Sequence, residues 1–128
     1  MNKLDKENVI GISALLVHAA KIDEIYSEHE KDLIKNFIKS YLKDDNIEKI
    51  LEEAEEIEKN SNQLLNFTNI IKKNSMDIKK DIIEHLWKVI ISDNTVDQYE
   101  SNLMRRICGL IYFPDKECAE IKLRLENS

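Results

Sequence analysis

The sequence predicts an all-α protein, and three observations support that class. The 128 residues include only two glycines and one proline, the residues that form most sharp β-turns and hairpins. Glu, Lys, Leu and Ile are abundant and favour helices. Apolar residues also recur at helical spacing in about seven stretches. We therefore expect about seven helices in a single domain spanning residues 1–128.

The first two helices are predicted from their apolar stripes. The first runs from about Asp5 to Lys21, and the second from near Glu28 to about Lys43, where Asp44, Asp45 and Asn46 break it and offer caps. The stripes are Val9, Ile12, Leu16, Ala19 and Ala20 in the first helix, and Leu33, Ile34, Phe37, Ile38, Tyr41 and Leu42 in the second.

A third helix follows, with the charged run EEAEEIEK on its outer face and an end near Asn60. We interpret that run as a solvated face, and docking of a basic partner there as the less favoured alternative. A shorter fourth helix ends at about Lys72–Ser75. The inward residues are Ile47, Ile50, Leu51, Ala54 and Ile57 in the third helix, and Leu64, Phe67, Ile70 and Ile71 in the fourth.

Three more helices are predicted in the second half. The fifth runs from about Asp77 to Ser92, the sixth from about Gln98 to Tyr112, and the seventh has Pro114 as its first residue. The apolar stripe of the fifth helix is Ile78, Ile82, Leu86, Val89 and Ile90, widened by Ile83 and Trp87. The stripe of the sixth is Leu103, Ile107, Leu110 and Ile111, and that of the seventh is Cys118, Ile121 and Leu125.

The chain also repeats itself at an offset of 70 residues. This shift places the first helix and its following turn on the fifth helix and its turn, and the second helix on the sixth. The aligned pairs are Leu16 with Leu86, Ala20 with Ile90, Asp23 with Asp93, Glu30 with Glu100, Leu33 with Leu103 and Phe37 with Ile107. We therefore expect two related helical-hairpin halves bridged by the short fourth helix.

Charge and cysteine content narrow the function classes. The formal net charge is −6, and all of it lies in residues 1–64, with 9 basic and 15 acidic residues. Nucleic-acid binding needs a basic surface, so we do not expect it. No apolar run is long enough to span a bilayer. Cys108 and Cys118 are expected to be reduced core residues of a cytoplasmic protein.

The duplicated acidic turns, IDEIYSEHE and SDNTVDQYE, are the candidate functional feature. Ser27 with Glu30 fits a capping box, and Asp97 with Glu100 fits a close variant, so helix capping alone accounts for these four residues. Asp23 and Asp93 are different because each falls at a helix C-terminus, where the dipole disfavours an anion.

Three explanations for those two aspartates stay open. Each can fold back onto backbone N–H groups, be neutralised by Arg105 or Arg106, or share a divalent cation. Neither turn is an EF-hand loop, because the sixth position lacks glycine and the twelfth lacks glutamate. A cation would be a hard one, Ca²⁺ or Mg²⁺. Its ligands would be Asp23, Glu30, Asp93 and Glu100.

Enzyme chemistry is not predicted. No His follows a Glu by three residues, as a di-iron bundle requires, and no nucleophile motif is present. Gly11 and Gly109 lie inside helices, where we expect them to admit a neighbouring helix. His85 beside Glu84 is expected to form an ordinary surface pair, and Trp87 to be buried or half-buried at a helix crossing.

The stretches LLVHAAKIDEIYSEHE and LWKVIISDNTVDQYESNLMRRICGLIYF resemble the TerB-like tellurite-resistance family. That family shows an L-W-x-V-A-x-A-D-G-x-x-D-x-x-E turn followed by an L-x-R-R helix. The residues that match are Leu86, Trp87, Val89, Asp93, Asp97, Glu100, Leu103, Arg105 and Arg106. LLNFTNII is similar to the family's middle segment.

The resemblance implies an all-α fold of about seven helices and no enzymatic activity. It also implies a role in tellurite or other chemical-stress resistance, protein partners, and divalent-cation sensing in complexes near the membrane. The family's turn glycine is replaced by Glu24 and Asn94, and the acid after it by Ile25 and Thr95. The alternative function is a ligand-free helical adaptor for protein–protein interaction.

Overall fold

The computed structural model describes residues 4–22, 26–43, 46–61, 64–92 and 98–127. Within these ranges the chain forms seven α-helices and no strand, which confirms the predicted all-α class. The helices are α1 (Lys6–Ala20), α2 (Glu28–Tyr41), α3 (Ile47–Asn60), α4 (Leu65–Lys72), α5 (Met76–Ile91), α6 (Gln98–Leu110) and α7 (Asp115–Glu126).

The helix starts reproduce the 70-residue repeat. The start of α1 at Lys6 corresponds to that of α5 at Met76, and the start of α2 at Glu28 to that of α6 at Gln98. The N-caps before α1 and α5, Asp5 and Ser75, are also 70 residues apart, and each accepts a backbone N–H three residues on. The repeat is therefore one of helix boundaries as well as of apolar pattern.

Helix α1 is the centre of the fold. It packs against α2, α3, α4 and α5, and eleven of its fifteen residues are buried. A helix that is apolar nearly all round must be surrounded by other helices. Its buried surface therefore extends well beyond the predicted single stripe.

Helices α2, α3, α4 and α5 lie directly on α1, whereas α6 and α7 form an outer pair that packs against α4 and α5. Helix α2 packs on α3 and α5, α5 packs closely against α7, and α6 packs against α4 and α7. The two halves thus use different neighbours, since α1 packs on the next helix of its half, α2, whereas α5 packs mainly on α1, α7 and α2. Among the largest fully buried side chains are Phe37, Leu15, Leu16, Ile34, Ile82, Ile83, Leu86 and Ile90.

Helix α6 ends earlier than predicted, at Leu110 instead of Tyr112. Tyr112 has φ 60°, a left-handed conformation that stops the helix. The Phe113 N–H then donates to the Cys108 carbonyl at 2.9 Å, the closing bond of a Schellman motif. Pro114 follows as the N-cap of α7 and not as its first residue.

Two other sequence expectations were wrong. Ile57 was expected to face inward but is 43% exposed, because α3 is closed against its neighbours through Ile50, Leu51 and Ala54. Gly109 was expected to admit a neighbouring helix, yet a Cβ built there meets nothing within 4 Å. Gly11 does behave as predicted, since a Cβ there would lie 2.5 Å from Ile70 Cδ1.

None of the described helices is long and apolar enough to cross a membrane. The division of residues 1–128 into a single domain stays a prediction.

Candidate functional site

The first acidic turn leads into a capping box built from Ser27 and Glu30. Ser27 Oγ accepts the Glu30 backbone N–H at 3.1 Å. The Glu30 Oε1 atom accepts the Ser27 backbone N–H at 2.8 Å and its hydroxyl at 3.0 Å. The predicted capping box is therefore confirmed, and its hydrogen bonds offset part of the cost of burying a carboxylate.

Glu30 and Glu100 occupy the same position in the two halves. Each is the third residue of its helix, α2 or α6, and they are only 5% and 4% exposed. Buried carboxylates are rare in proteins unless they are paired or hydrogen-bonded. The repeat thus places one buried acid beside each acidic turn.

The other predicted ligands, Asp23 and Asp93, lie outside the described residues, as does the predicted cap Asp97. Arg105 and Arg106 are exposed on α6. Their pairing with either aspartate stays a prediction, because both aspartates lie outside the described residues. In the described part of the chain, no three His, Cys, Asp or Glu side chains form a group that could hold a metal. The shared cation site stays a prediction.

The residues on either side of the first turn are anchored to α3. Before the turn, Lys21 Nζ lies 2.9 Å from Glu58 Oε1, and His18 Nδ1 lies 3.3 Å from Glu58 Oε2. After the turn, the Tyr26 hydroxyl donates to Glu55 at 2.7 Å. Burial and this hydrogen bond raise the Tyr26 pKa well above its usual range.

The acidic run of α3 is therefore only partly the solvated face that was predicted. Glu55 and Glu58 contact the residues on either side of the first turn, while Glu52, Glu53 and Glu56 are exposed. The partners in these contacts are 29 to 40 residues apart. Helical periodicity relates residues within one helix, so it could not predict these contacts between helices.

A second polar contact joins α2 to α5. The Tyr41 hydroxyl donates to Asp81 at 2.6 Å, and His85 Nε2 lies 3.8 Å from Asp81 Oδ2. The His85 ring meets Phe37 edge-on at 5.1 Å. His85 is thus half-buried between helices, which corrects the expected surface pair with Glu84. Burial lowers the His85 pKa, although Asp81 opposes the shift.

The two cysteines are buried between α6 and α7, as predicted. The interaction between the two thiols, together with burial, raises the Cys108 pKa, and the same interaction lowers the Cys118 pKa. Trp87 is 4% exposed beside them, and Lys122 Nζ lies 5.7 Å from its ring centroid. This cluster joins α5 to α7 in the second half.

Comparison with protein families gives a match that covers most of the chain. The family model described as "Tellurite resistance protein TerB" matches residues 9–123. The chain belongs to the TerB family. Comparison with curated proteins and with solved structures finds no significant match.

The TerB signature residues divide into buried and exposed positions. Leu86, Trp87 and Val89 are 0%, 4% and 1% exposed, and Leu103 is 7% exposed. These side chains pack α5 and α6 into the core, so packing alone explains why these positions are apolar. Arg105 and Arg106 are exposed, so their packing does not explain why a TerB chain carries them.

The TerB fold also contains an apolar groove that was not predicted. It lies between α1, α3 and α4 and has a volume of about 330 Å³. Its lining residues are Glu7, Ile10, Gly11, Glu53, Ile57, Ser61, Asn66, Phe67 and Ile70. Ile57, which was expected in the core, instead lines this groove.

Proposed function

We propose that this TerB-family chain is a non-catalytic interaction module of the cytoplasmic response to tellurite and related chemical stress. We further propose that its acidic turns bind a divalent cation, Ca²⁺ or Mg²⁺. The observation that supports the cation is the burial of Glu30 and Glu100 at equivalent positions beside the two turns.

The electrostatics of each turn favour a cation. In each half of the sequence, an aspartate comes seven residues before a glutamate that is buried in the first turn of α2 or α6. The Ser27 hydrogen bonds offset only part of the cost of burying the Glu30 carboxylate, and an aspartate at a helix C-terminus is disfavoured by the dipole. A cation held by Asp23, Glu30, Asp93 and Glu100 would relieve that repulsion, and oxygen ligands select hard ions.

Thermal unfolding with and without millimolar Ca²⁺, Mg²⁺, Mn²⁺ or Zn²⁺ tests this. A cation at 100 times its Kd stabilises the folded state by about 2.7 kcal/mol. For 128 residues, the unfolding entropy is roughly 0.27 kcal/mol/K, so Tm should rise by about 10 °C.

The variant Asp23→Asn/Asp93→Asn should lose that rise, while Glu126→Gln, an exposed acid on α7, should keep it. The cation proposal fails if none of the four ions shifts the wild-type Tm. It also fails if the double variant responds to the ions as strongly as the wild type does.

The second candidate function is a ligand-free helical adaptor, and the apolar groove between α1, α3 and α4 favours it. Ile57 exposes 43% of its surface there, and exposed apolar patches with polar rims are typical of protein-binding sites. An adaptor needs no cation, so the thermal experiment separates the two functions.

A further inference from the structure

The groove between α1, α3 and α4 has the features of a site for a protein segment. Ile10 and Phe67 form buried parts of its wall, at 9% and 5% exposure, and Ile57 stands at its edge. Its volume of about 330 Å³ is at the lower limit for small-molecule pockets. It therefore suits one or two apolar side chains of a partner.

Gly11 shapes the floor of the groove. The absence of a side chain lets Ile70 of α4 approach α1, since a Cβ at Gly11 would lie 2.5 Å from Ile70 Cδ1. Any larger residue would displace Ile70, which also lines the groove. The shape of the groove thus depends on a glycine that helix propensity alone would disfavour.

Charge indicates which partner fits. Both charged residues that line the groove, Glu7 and Glu53, are acidic and exposed. Glu52 and Glu56 add exposed acids on the same helix as Glu53. Six of the nine lining residues also lie in residues 1–64, the half of the chain that carries the whole net charge of −6. An acidic rim attracts basic partners and repels acidic ones.

We propose that this groove binds a basic amphipathic helix of a partner protein, with an apolar anchor against Ile57 and Phe67 and Lys or Arg residues facing Glu7 and Glu53. This is the helix-in-groove mode of recognition, with anchors at helical spacing. The proposal specifies the partner of the interaction role given above, and it does not depend on the cation.

Fluorescence anisotropy with designed peptides tests the proposal. The probe is a labelled helical peptide of about 18 residues, long enough to form a helix, with leucines on one face and lysines elsewhere. One matched peptide replaces every lysine by glutamate, and another replaces every leucine by alanine. The Leu/Lys peptide should bind at least about tenfold more tightly than either of the others.

Variants of the protein locate the binding. Ile57→Ser and Glu53→Lys should each weaken binding of the Leu/Lys peptide about tenfold. The matched controls are Leu123→Ser and Glu126→Lys on α7, where Leu123 is 57% exposed and Glu126 is also exposed. Both controls should bind as the wild type does. Because all four positions are exposed, the variants should fold, and circular dichroism checks this.

Two results would overturn the proposal. One is equal binding of the Leu/Lys peptide to Ile57→Ser and to wild type, which would mean that the peptide binds elsewhere. The other is a concentration-dependent dimer in sedimentation that Ile57→Ser abolishes, because a second copy would then be the occupant. Measurements in EDTA and in millimolar Ca²⁺ separate this proposal from the cation proposal. If no cation binds, peptide binding should be the same in both buffers.

Discussion

The capping box of α2 allows the structural role of Glu30 to be separated from a ligand role. Glu30→Gln removes the charge but keeps a side-chain oxygen that can accept both Ser27 hydrogen bonds. Glu30→Ala removes both bonds, now 2.8 and 3.0 Å long. Ser27→Ala removes both bonds of the Ser27 hydroxyl, the one it donates to Glu30 Oε1 and the one it accepts from the Glu30 N–H. Comparing the three variants in EDTA measures the cap alone.

The magnitudes follow from the bonds that each variant loses. Glu30→Ala loses two hydrogen bonds at about 1 kcal/mol each, roughly 2 kcal/mol in total. Ser27→Ala should cost about 1 kcal/mol, the typical measured effect of replacing an N-cap serine by alanine. Glu30→Gln should cost about 0.5 kcal/mol of helix-dipole interaction. With an unfolding entropy of roughly 0.27 kcal/mol/K, Tm should fall by about 7, 4 and 2 °C.

The assay is thermal unfolding followed by circular dichroism, first in EDTA and then with millimolar Ca²⁺ or Mg²⁺. Glu28→Gln is the matched control because its carboxylate is 84% exposed in the same helical turn. If Glu30 also binds a cation, Glu30→Gln should lose the stabilisation by the ion while Ser27→Ala retains it. The capping argument is refuted if Glu30→Gln in EDTA costs as much as Glu30→Ala.

Three further outcomes are expected. Gly109→Ala should raise the free energy of unfolding by about 0.5–1 kcal/mol, because the helix gains propensity in open space. Gly11→Ala should gain less, since its Cβ meets a packed isoleucine at 2.5 Å, and chemical denaturation compares the two. Tyr41→Phe should lose about 1 kcal/mol of stability with the hydrogen bond to Asp81, and in a double-mutant cycle the loss in Tyr41→Phe/Asp81→Ala should be smaller than the sum of the losses in the two single variants. Because burial lowers the His85 pKa below its ordinary value of 6.5, the unfolded state binds the proton more readily. Stability should then fall as pH drops below about 6.5, and His85→Gln should flatten that part of the stability curve.

The sequence determined the helices and their repeat because those depend on local pattern. Apolar spacing and capping residues specify where a helix runs and which face is buried. The 70-residue offset predicted two related halves, and α1 and α5, and α2 and α6, do start at equivalent residues. Ser27 and Glu30 form a capping box from residues only three apart, so that contact was also within reach of the sequence.

Only the tertiary structure decided which neighbour, or solvent, each helix face contacts. The stripe of α3 includes Ile57, but only packing shows that the core closes before Ile57 and leaves a groove beside Phe67. Gly11 and Gly109 are alike in sequence terms, yet only Gly11 has a helix against it. The contact of Lys21 with Glu58 joins residues 37 positions apart. Such contacts depend on how the helices are arranged around α1, and helical periodicity carries no information about that arrangement.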